Sequence, residues 1–344
     1  MIVLYIVCVF FSISAFLPAI ENPHWFFRTA DFVRLQSIVI EVILLGLLLL
    51  LGWELSVFEI IVALGLLVSI GYQLQKVFRY SSIYPRKKPS FPSVGKASIF
   101  AANILQDNKS FSSFLKEVNK FDADLVLTME SNQEWENKLK SLEKEYPYTV
   151  KIPLENYYGM HLYSKKELHN VSTQFQVQDD VPSIFFEFLI DTNNTIFFTC
   201  LHPAPPSPTE NETSKERDAE LMITGKKIRN QNKPTIVCGD MNDVVWSRTT
   251  RLFKKMTGMI DPRVGRGFFP TYHAGYWFMR FPLDHLFHTE DLFVKKMERS
   301  KYFGSDHFGM YYEIHLKKKA KKASNPKLDN KEKVIIKEII DETK

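Results

Sequence analysis

Three long apolar stretches open the chain. Residues 2–20 (IVLYIVCVFFSISAFLPAI) carry no charge, residues 35–53 carry only Glu41, and residues 56–75 carry only Glu59. A helix of about 20 residues spans roughly 30 Å, the thickness of the hydrocarbon core of a bilayer. The pattern therefore predicts three transmembrane helices in a membrane region of residues 1–75. A secretory signal is the alternative for the first stretch, but a positive n-region and a small-residue cleavage site are both missing. Trp25 and Phe26 suit an interfacial belt after the first span. Glu41 and Glu59 lie within about two turns of the helix ends, which favours locally paired or solvated carboxylates over functional intramembrane ones. Gly46 and Gly65 offer places where helices approach closely.

The periodicity then changes. Residues 76–97 contain Pro85, Pro89 and Pro92 among Ser and Lys, the composition of an extended linker. SIFAANIL (98–105) and ADLVLTME (123–130) are short apolar runs bounded by polar residues, the pattern of buried strands. Between them Phe111, Phe114, Leu115, Val118 and Phe121 recur at helical spacing, and Trp135, Leu139, Leu142 and Tyr146 predict a second helix. Strands follow over residues 159–164, 183–190, 195–202, 235–240, 283–288 and 308–315, with helices near 214–229 and 247–256. Strand-rich sequence with interspersed helices predicts an α/β (α+β) two-layer sandwich with flanking helices over residues 98–316.

Charge narrows the function classes. The 344 residues hold 44 Lys and Arg against 39 Asp and Glu, a net charge of +5. Residues 317–344 alone hold ten Lys against five acidic residues, so everything before them sums to zero. A body of this charge does not read as a bulk-basic nucleic-acid binder. Three cysteines, Cys8, Cys200 and Cys238, are too few for a disulfide framework or a Cys-based zinc site. The Lys-rich tail reads as a solvated, disordered end. Its KKKAKK cluster could touch anionic lipid, and NKEKVIIKEIIDETK could form a short amphipathic helix.

Polar residues punctuate the strand ends. Asn103 lies in the first strand, Glu130 ends the second, and His202 and Asp240 end two later ones. Asn242 follows closely, Asp284 and His285 open another strand, and Asp306 and His307 precede the last. Loops at one edge of a sheet converge, so these groups can share a site. Oxygen-rich ligand sets select hard cations such as Mg²⁺ or Mn²⁺. A His paired with an Asp gives a fixed, charge-stabilised imidazole. Such parts suit metal-assisted attack of water on a phosphoryl centre. The bland alternatives are an Asx turn at Asp240–Asn242, a cap at Asp306–His307 and a loop-entry residue at His202.

VCGDMND (237–243), PLDHLF (282–287) and GSDHFG (304–309) resemble the last three signatures of the endonuclease/exonuclease/phosphatase superfamily, in order. ANIL (102–105), LTMES (127–131) and FTCLHP (198–203) resemble the earlier ones. GDMNDVVWS and GRGFFPTY (265–272), with Arg280, Phe281 and Pro282, resemble a bacterial branch with hydrophobic N-terminal spans. The resemblance implies a DNase I-like fold and divalent-cation chemistry. Under it Glu130 is the principal metal ligand and Asp306 a second carboxylate beside the ion. Asp240 orients or deprotonates the attacking water, Asn242 holds that water or a phosphate oxygen, and Asn103 supports the metal site and a phosphate oxygen. His307 faces the scissile phosphate, Asp284 fixes its tautomer, and His202 contacts phosphate or assists the leaving group. Arg263, Arg266 and Arg280 are further phosphate grips or plain surface charge.

Long basic, aromatic-rich insertions that would grip a duplex are missing from the sequence, so nucleic acid is the less favoured partner. The Pro-rich loop 203–217 beside His202 shapes a mouth. A membrane-anchored Mg²⁺- or Mn²⁺-dependent phosphoesterase is the leading expectation. Its substrate would be a phosphate mono- or diester or a lipid-linked diphosphate met at the bilayer. A tethered nuclease and an inactive scaffold are the rivals. Lys76, Arg79, Arg86, Lys87 and Lys88 after the third span, against Arg28 and Arg34 in the first loop, favour a multi-pass protein of the cell membrane with a cytoplasmic domain. The oligomeric state is not legible.

Overall fold

The computed structural model describes residues 1–52, 56–86, 92–208, 210–231, 233–318 and 326–343. The apolar region forms α1 (Ile2–Ser14), the short α2 (Trp25–Phe32), α3 (Arg34–Leu51) and α4 (Val57–Val77). Counting the 3-10 turn Leu17–Ala19 with the first helix, three helices are long and apolar enough to cross a membrane. Tyr5 donates to Glu59 at 2.7 Å and Phe16 stacks on Tyr72 at 4.6 Å, so α1 runs parallel to α4. Gly65 lies where α1 comes close, since a Cβ there would meet Ser12 Oγ at 3.6 Å, whereas Gly46 faces open space. The carboxylates of α3 and α4 are both hydrogen-bonded, Glu41 across to α4 and Glu59 within its own helix start. Glu41 accepts from Ser69 (2.9 Å) and Gln73 (2.8 Å), and Glu59 caps α4 with Ser56. Ile2, Val3, Ile43, Leu50, Ile61 and Val68 are mostly exposed, an outer surface suited to lipid.

The rest is a two-layer β-sandwich with flanking helices, as the periodicity predicts. In chain order it comprises β1 (Ser93–Asn103), α5 (Phe111–Phe121), β2 (Leu125–Met129), α6 (Gln133–Leu139), β3 (Tyr148–Ile152), β4 (Met160–Ser164), β5 (Leu168–Phe175), β6 (Pro182–Asp191) and β7 (Asn194–Leu201). It continues with α7 (Lys215–Arg229), β8 (Thr235–Asp240), α8 (Arg248–Thr257), β9 (Asp284–His288), β10 (Leu292–Arg299), β11 (Met310–Lys317) and α9 (Asn330–Asp341). One sheet has the order β10-β11-β1-β2-β4-β3 and the other β5-β6-β7-β8-β9. Alternate residues of β1 explain the layering. Ile99 and Ala101 point into the inter-sheet core, while Phe100 and Ala102 face α5. Strands buried on both faces read as continuous apolar runs. Phe114, Val118 and Phe121 give α5 its buried stripe, and the helix stops at Asp122, whose φ of 48° turns the chain left-handed.

The structure differs from the sequence expectation at three places. First, β1 begins at Ser93, inside the predicted linker, and Tyr80 is buried beside Trp246 with ring centroids 6.0 Å apart. The chain between the apolar helices and the sandwich is therefore tied down on both sides; residues 87–91 lie outside the described residues. Second, β3, β5 and β10 were not predicted. All three are sheet edges, where β3 and β5 bury no residue fully and β10 only Leu292, Phe293 and Val294, so none offers an apolar run of a strand's length. Third, the end of the chain was expected to be solvated, yet α9 buries Ile336 and Ile340 in the cluster that also holds Leu221 and Ile228 of α7. Four residues apart, they make one apolar face. Residues 319–325, with most of the KKKAKK cluster, lie outside the described residues.

Candidate active site

Topology gathers the polar residues. β1 and β2 are parallel, as are β7 and β8, so their carboxyl ends lie on one edge of the sandwich. Those ends carry Asn103, Glu130, His202 and Asp240. β9 runs antiparallel to β8 with Asp284 opposite Asp240, and β11 runs antiparallel to β1 with Met310 opposite Ala101. The starts of β9 and β11 thus return Asp284, Asp306 and His307 to the same edge. A tight backbone makes this work. Gly239 has φ 137°, and a Cβ there would sit 2.0 Å from Leu201 O. Glu130 and Asn242 adopt φ of 60° and 49°, unusual for side-chain-bearing residues and frequent at functional sites.

All eight sequence-predicted residues come together. Asn103 Nδ2 donates to Glu130 Oε1 at 2.7 Å and to Asp240 Oδ2 at 3.2 Å. Asp240 Oδ1 accepts from the Asn242 backbone at 2.9 Å. His307 lies between two carboxylates, with Nδ1 2.8 Å from Asp284 Oδ2 and Nε2 3.4 Å from Asp240 Oδ2. Burial opposes the imidazolium, but Asp240, Asp284 and Asp306 overcome it and hold His307 protonated up to about 10. Ser305 bridges β1 and the last motif, donating to Asn103 O at 2.9 Å and accepting from His307 N at 3.0 Å. His202 is buried and its Nδ1 has no hydrogen-bond partner among the described residues. Burial pushes it down to about 4, so its ring is neutral at pH 7.

These groups surround a cavity of about 330 Å³. Asn103, Glu130, His202, Asn242, Asp306 and His307 line it, and Asp240 and Asp284 stand directly behind. Pro205, Pro206, Ser207 and Glu210 of the Pro-rich loop line it too, as expected of a loop that shapes the mouth, and Phe32, Tyr157, Tyr158, Tyr272 and Leu283 complete the wall. Sequence reasoning missed Phe32, Tyr157, Tyr158 and Tyr272, because an aromatic carries no such signal until the loops are placed. It also missed Arg217 of α7, which is buried, pairs with Asp218 at 2.9 Å and donates to Asn242 O at 2.9 Å. The three arginines weighed as phosphate grips do not line the cavity. Arg263 is buried against Asp261, Arg266 bonds Val294 O, and Arg280 bonds Tyr276 O and Ala274 O. No Lys or Arg stands among the described residues that line it. Three carboxylates in the wall, Glu130, Glu210 and Asp306, stand against one cationic side chain, His307, among the described residues, and burial raises Glu130 to about 7.

A family model described as the endonuclease/exonuclease/phosphatase family matches residues 100–307. The chain belongs to that family. Its members are metal-dependent phosphoesterases and nucleases, and the buried Asp240–Asp284–His307 cluster is part of this chain's acidic centre. Solved structures with DNase I-like folds agree. Truncated Caenorhabditis elegans TDP2 superposes with a TM-score of 0.53 at 15% identity, covering 64% of this chain and 98% of that one. An endonuclease/exonuclease/phosphatase from Beutenbergia cavernae gives 0.54 at 14%, covering 65% and 72%. The human Nocturnin catalytic domain with bound sulfate gives 0.52 at 13%, covering 66% and 97%. No curated protein matches the chain in sequence. At such identities the likeness shows a shared fold.

Proposed function

We propose that the protein is a membrane-anchored, divalent-cation-dependent phosphoesterase, with residues 1–75 as anchor and 98–316 as hydrolase. The observation that carries this reading is the charge of the cavity. It gathers Glu130 and Asp306 as hard oxygen donors, with Glu210 beside them, and His307 is the one cationic side chain that lines it among the described residues. A dianionic phosphate ester needs more positive charge than that imidazolium supplies, and the carboxylates suit Mg²⁺ or Mn²⁺. Glu130 and Asp306 would hold the ion. Both ring nitrogens of His307 already face carboxylates, so His307 reads as a hydrogen-bonded cation rather than a ligand. The ion would supply charge neutralisation at the phosphoryl oxygens.

The protein groups account for the rest. Asp240, fixed by Asn103 and Asn242, orients a water and takes its proton. His307, kept cationic and oriented by Asp284, meets charge developing on the phosphoryl oxygens. Neutral His202, with its free Nδ1, bonds the phosphate or the leaving oxygen. Preorganised donors of this kind typically contribute about 3 kcal/mol each. Phosphate mono- and diesters and lipid-linked diphosphates are the substrates proposed, and the domain is placed on the cytoplasmic side.

The test is hydrolysis by the purified full chain with Mg²⁺ or Mn²⁺, using phospholipid headgroup esters, polyprenyl diphosphate and plasmid DNA. Activity on the esters, lost on chelation and in Glu130→Ala and Asp240→Ala, supports the reading. Cleavage of DNA alone assigns the tethered nuclease instead. Full activity in Glu130→Ala, with cation binding unchanged, overturns the site.

A further inference from the structure

The chain between Tyr272 and Phe281 leaves the cavity wall and returns to it. Tyr272 lines the cavity with its ring 4.9 Å from that of His307, and its backbone pairs with Phe281. Ala274 N donates to Asp306 O at 2.6 Å, and His273 N to Met279 O at 3.2 Å. Arg280 staples the turn from within, donating to Tyr276 O at 3.0 Å and Ala274 O at 3.1 Å. This hairpin is ordered by its own polar bonds. Yet its tip shows Tyr276, Trp277 and Phe278 at 53%, 82% and 56% exposure. Three consecutive aromatics held out from an ordered turn mark a contact surface.

Its position identifies what covers it. Gln36 Nε2 donates to Phe278 O at 3.1 Å. Gln36 lies in the first turn of α3, whose 18 residues make a helix roughly 27 Å long, matched to the hydrocarbon core. The tip is therefore level with the end of a spanning helix, where headgroups meet acyl chains. Met279 packs on the same apolar cluster as Leu35 and Ile38 of α3. Phe32, two residues before α3, lines the cavity itself. Trp and Tyr favour this interfacial zone because each carries an apolar body and a polar tip.

We infer that residues 273–280 are a finger seated in the bilayer interface, which sets the cavity mouth among the headgroups and takes a phosphate ester whose alcohol stays in the membrane. This deepens the phosphoesterase reading and rests on it. Water attacks phosphorus, the bond from phosphorus to the lipid-side oxygen breaks, and phosphate leaves to water. The proton taken from the water ends on the released oxygen, which stays behind on the lipid.

The full chain is reconstituted in vesicles of phosphatidylcholine and phosphatidylglycerol carrying lipids brominated near the headgroup end of the acyl chain. The tryptophan emission of wild type minus that of Trp277→Leu isolates Trp277, and it is strongly quenched. A Trp277 that stays unquenched, whether bare in water or covered by a second copy, overturns the finger. In parallel, the exposed pair Trp277→Ser/Phe278→Ser is assayed on vesicle-borne polyprenyl phosphate and on water-soluble p-nitrophenyl phosphate. The pair loses about tenfold on the lipid and less than about twofold on the soluble ester, as loss of effective concentration requires. Equal effects on both overturn the lipid substrate. A wild type that cleaves neither ester overturns the site reading and the substrate with it, while the quenching still judges the finger.

Discussion

His307 between Asp240 and Asp284 sets how the protein responds to alkali. Its folded value of about 10 lies above the ordinary 6.5, so its contribution to stability is complete below about 6.5 and is lost as pH rises through about 10. Thermal unfolding of the cation-free protein across pH 6.5–10.5 shows wild type losing stability faster than His307→Gln. Parallel curves for the two proteins would refute the charged sandwich. Asp284→Asn removes the charge that holds the imidazolium and lets an amide N–H face Nδ1, which favours the wrong tautomer, and the hydrolysis rate falls by at least about a hundredfold while the far-UV spectrum is unchanged. Gly239→Ala places a methyl against Leu201 O at φ 137° and lowers unfolding free energy by roughly 3 kcal/mol or more, read by denaturant titration. The polar members of this centre were legible in the sequence because each interrupts or ends an apolar strand. Tyr157, Tyr158 and Tyr272 were not, since an aromatic in a loop has the same local pattern whether it walls a cavity or covers a core.

At the scale of elements, legibility follows burial. Strands covered on both faces, β1, β2, β7 and β8, announce themselves as apolar runs, and they are the ones that carry the site. The edges β3 and β5 bury no residue fully and β10 only its first three, so they are visible only once their partners are placed. The same logic applies to α9. Two isoleucines in a lysine-rich end are a weak signal alone, yet both become buried when α7 offers a surface. Truncating either, as Ile336→Ala or Ile340→Ala, costs about 2–4 kcal/mol if the docking contributes to the domain's cooperative unfolding. Urea midpoints for the two variants within error of wild type would show that α9 opens independently of the sandwich.

For the molecule as a whole, helix directions decide which charges count together. α1 runs parallel to α4, and α3 returns between them, so the first loop and the domain lie on the same side of the bundle. Trp246 Nε1 donates to Asp31 O at 2.8 Å and Arg248 pairs with Glu21 at 2.7 Å, which ties that loop to the domain. Counted from sequence, Arg28 and Arg34 stand against Lys76, Arg79, Arg86, Lys87 and Lys88; in the folded chain Arg28 and Arg34 lie on the same side of the bundle as Lys76, Arg79 and Arg86. By the positive-inside rule these charges support the cytoplasmic placement proposed for the domain. Cys8, Cys200 and Cys238 are all buried, so one introduced thiol reports sidedness cleanly. Asn193 sits exposed in the turn between β6 and β7, far in sequence from the anchor. In intact cells Asn193→Cys resists a membrane-impermeant maleimide and reacts once the cells are permeabilised. Labelling without permeabilisation would put the cavity, its finger and its substrate on the opposite leaflet.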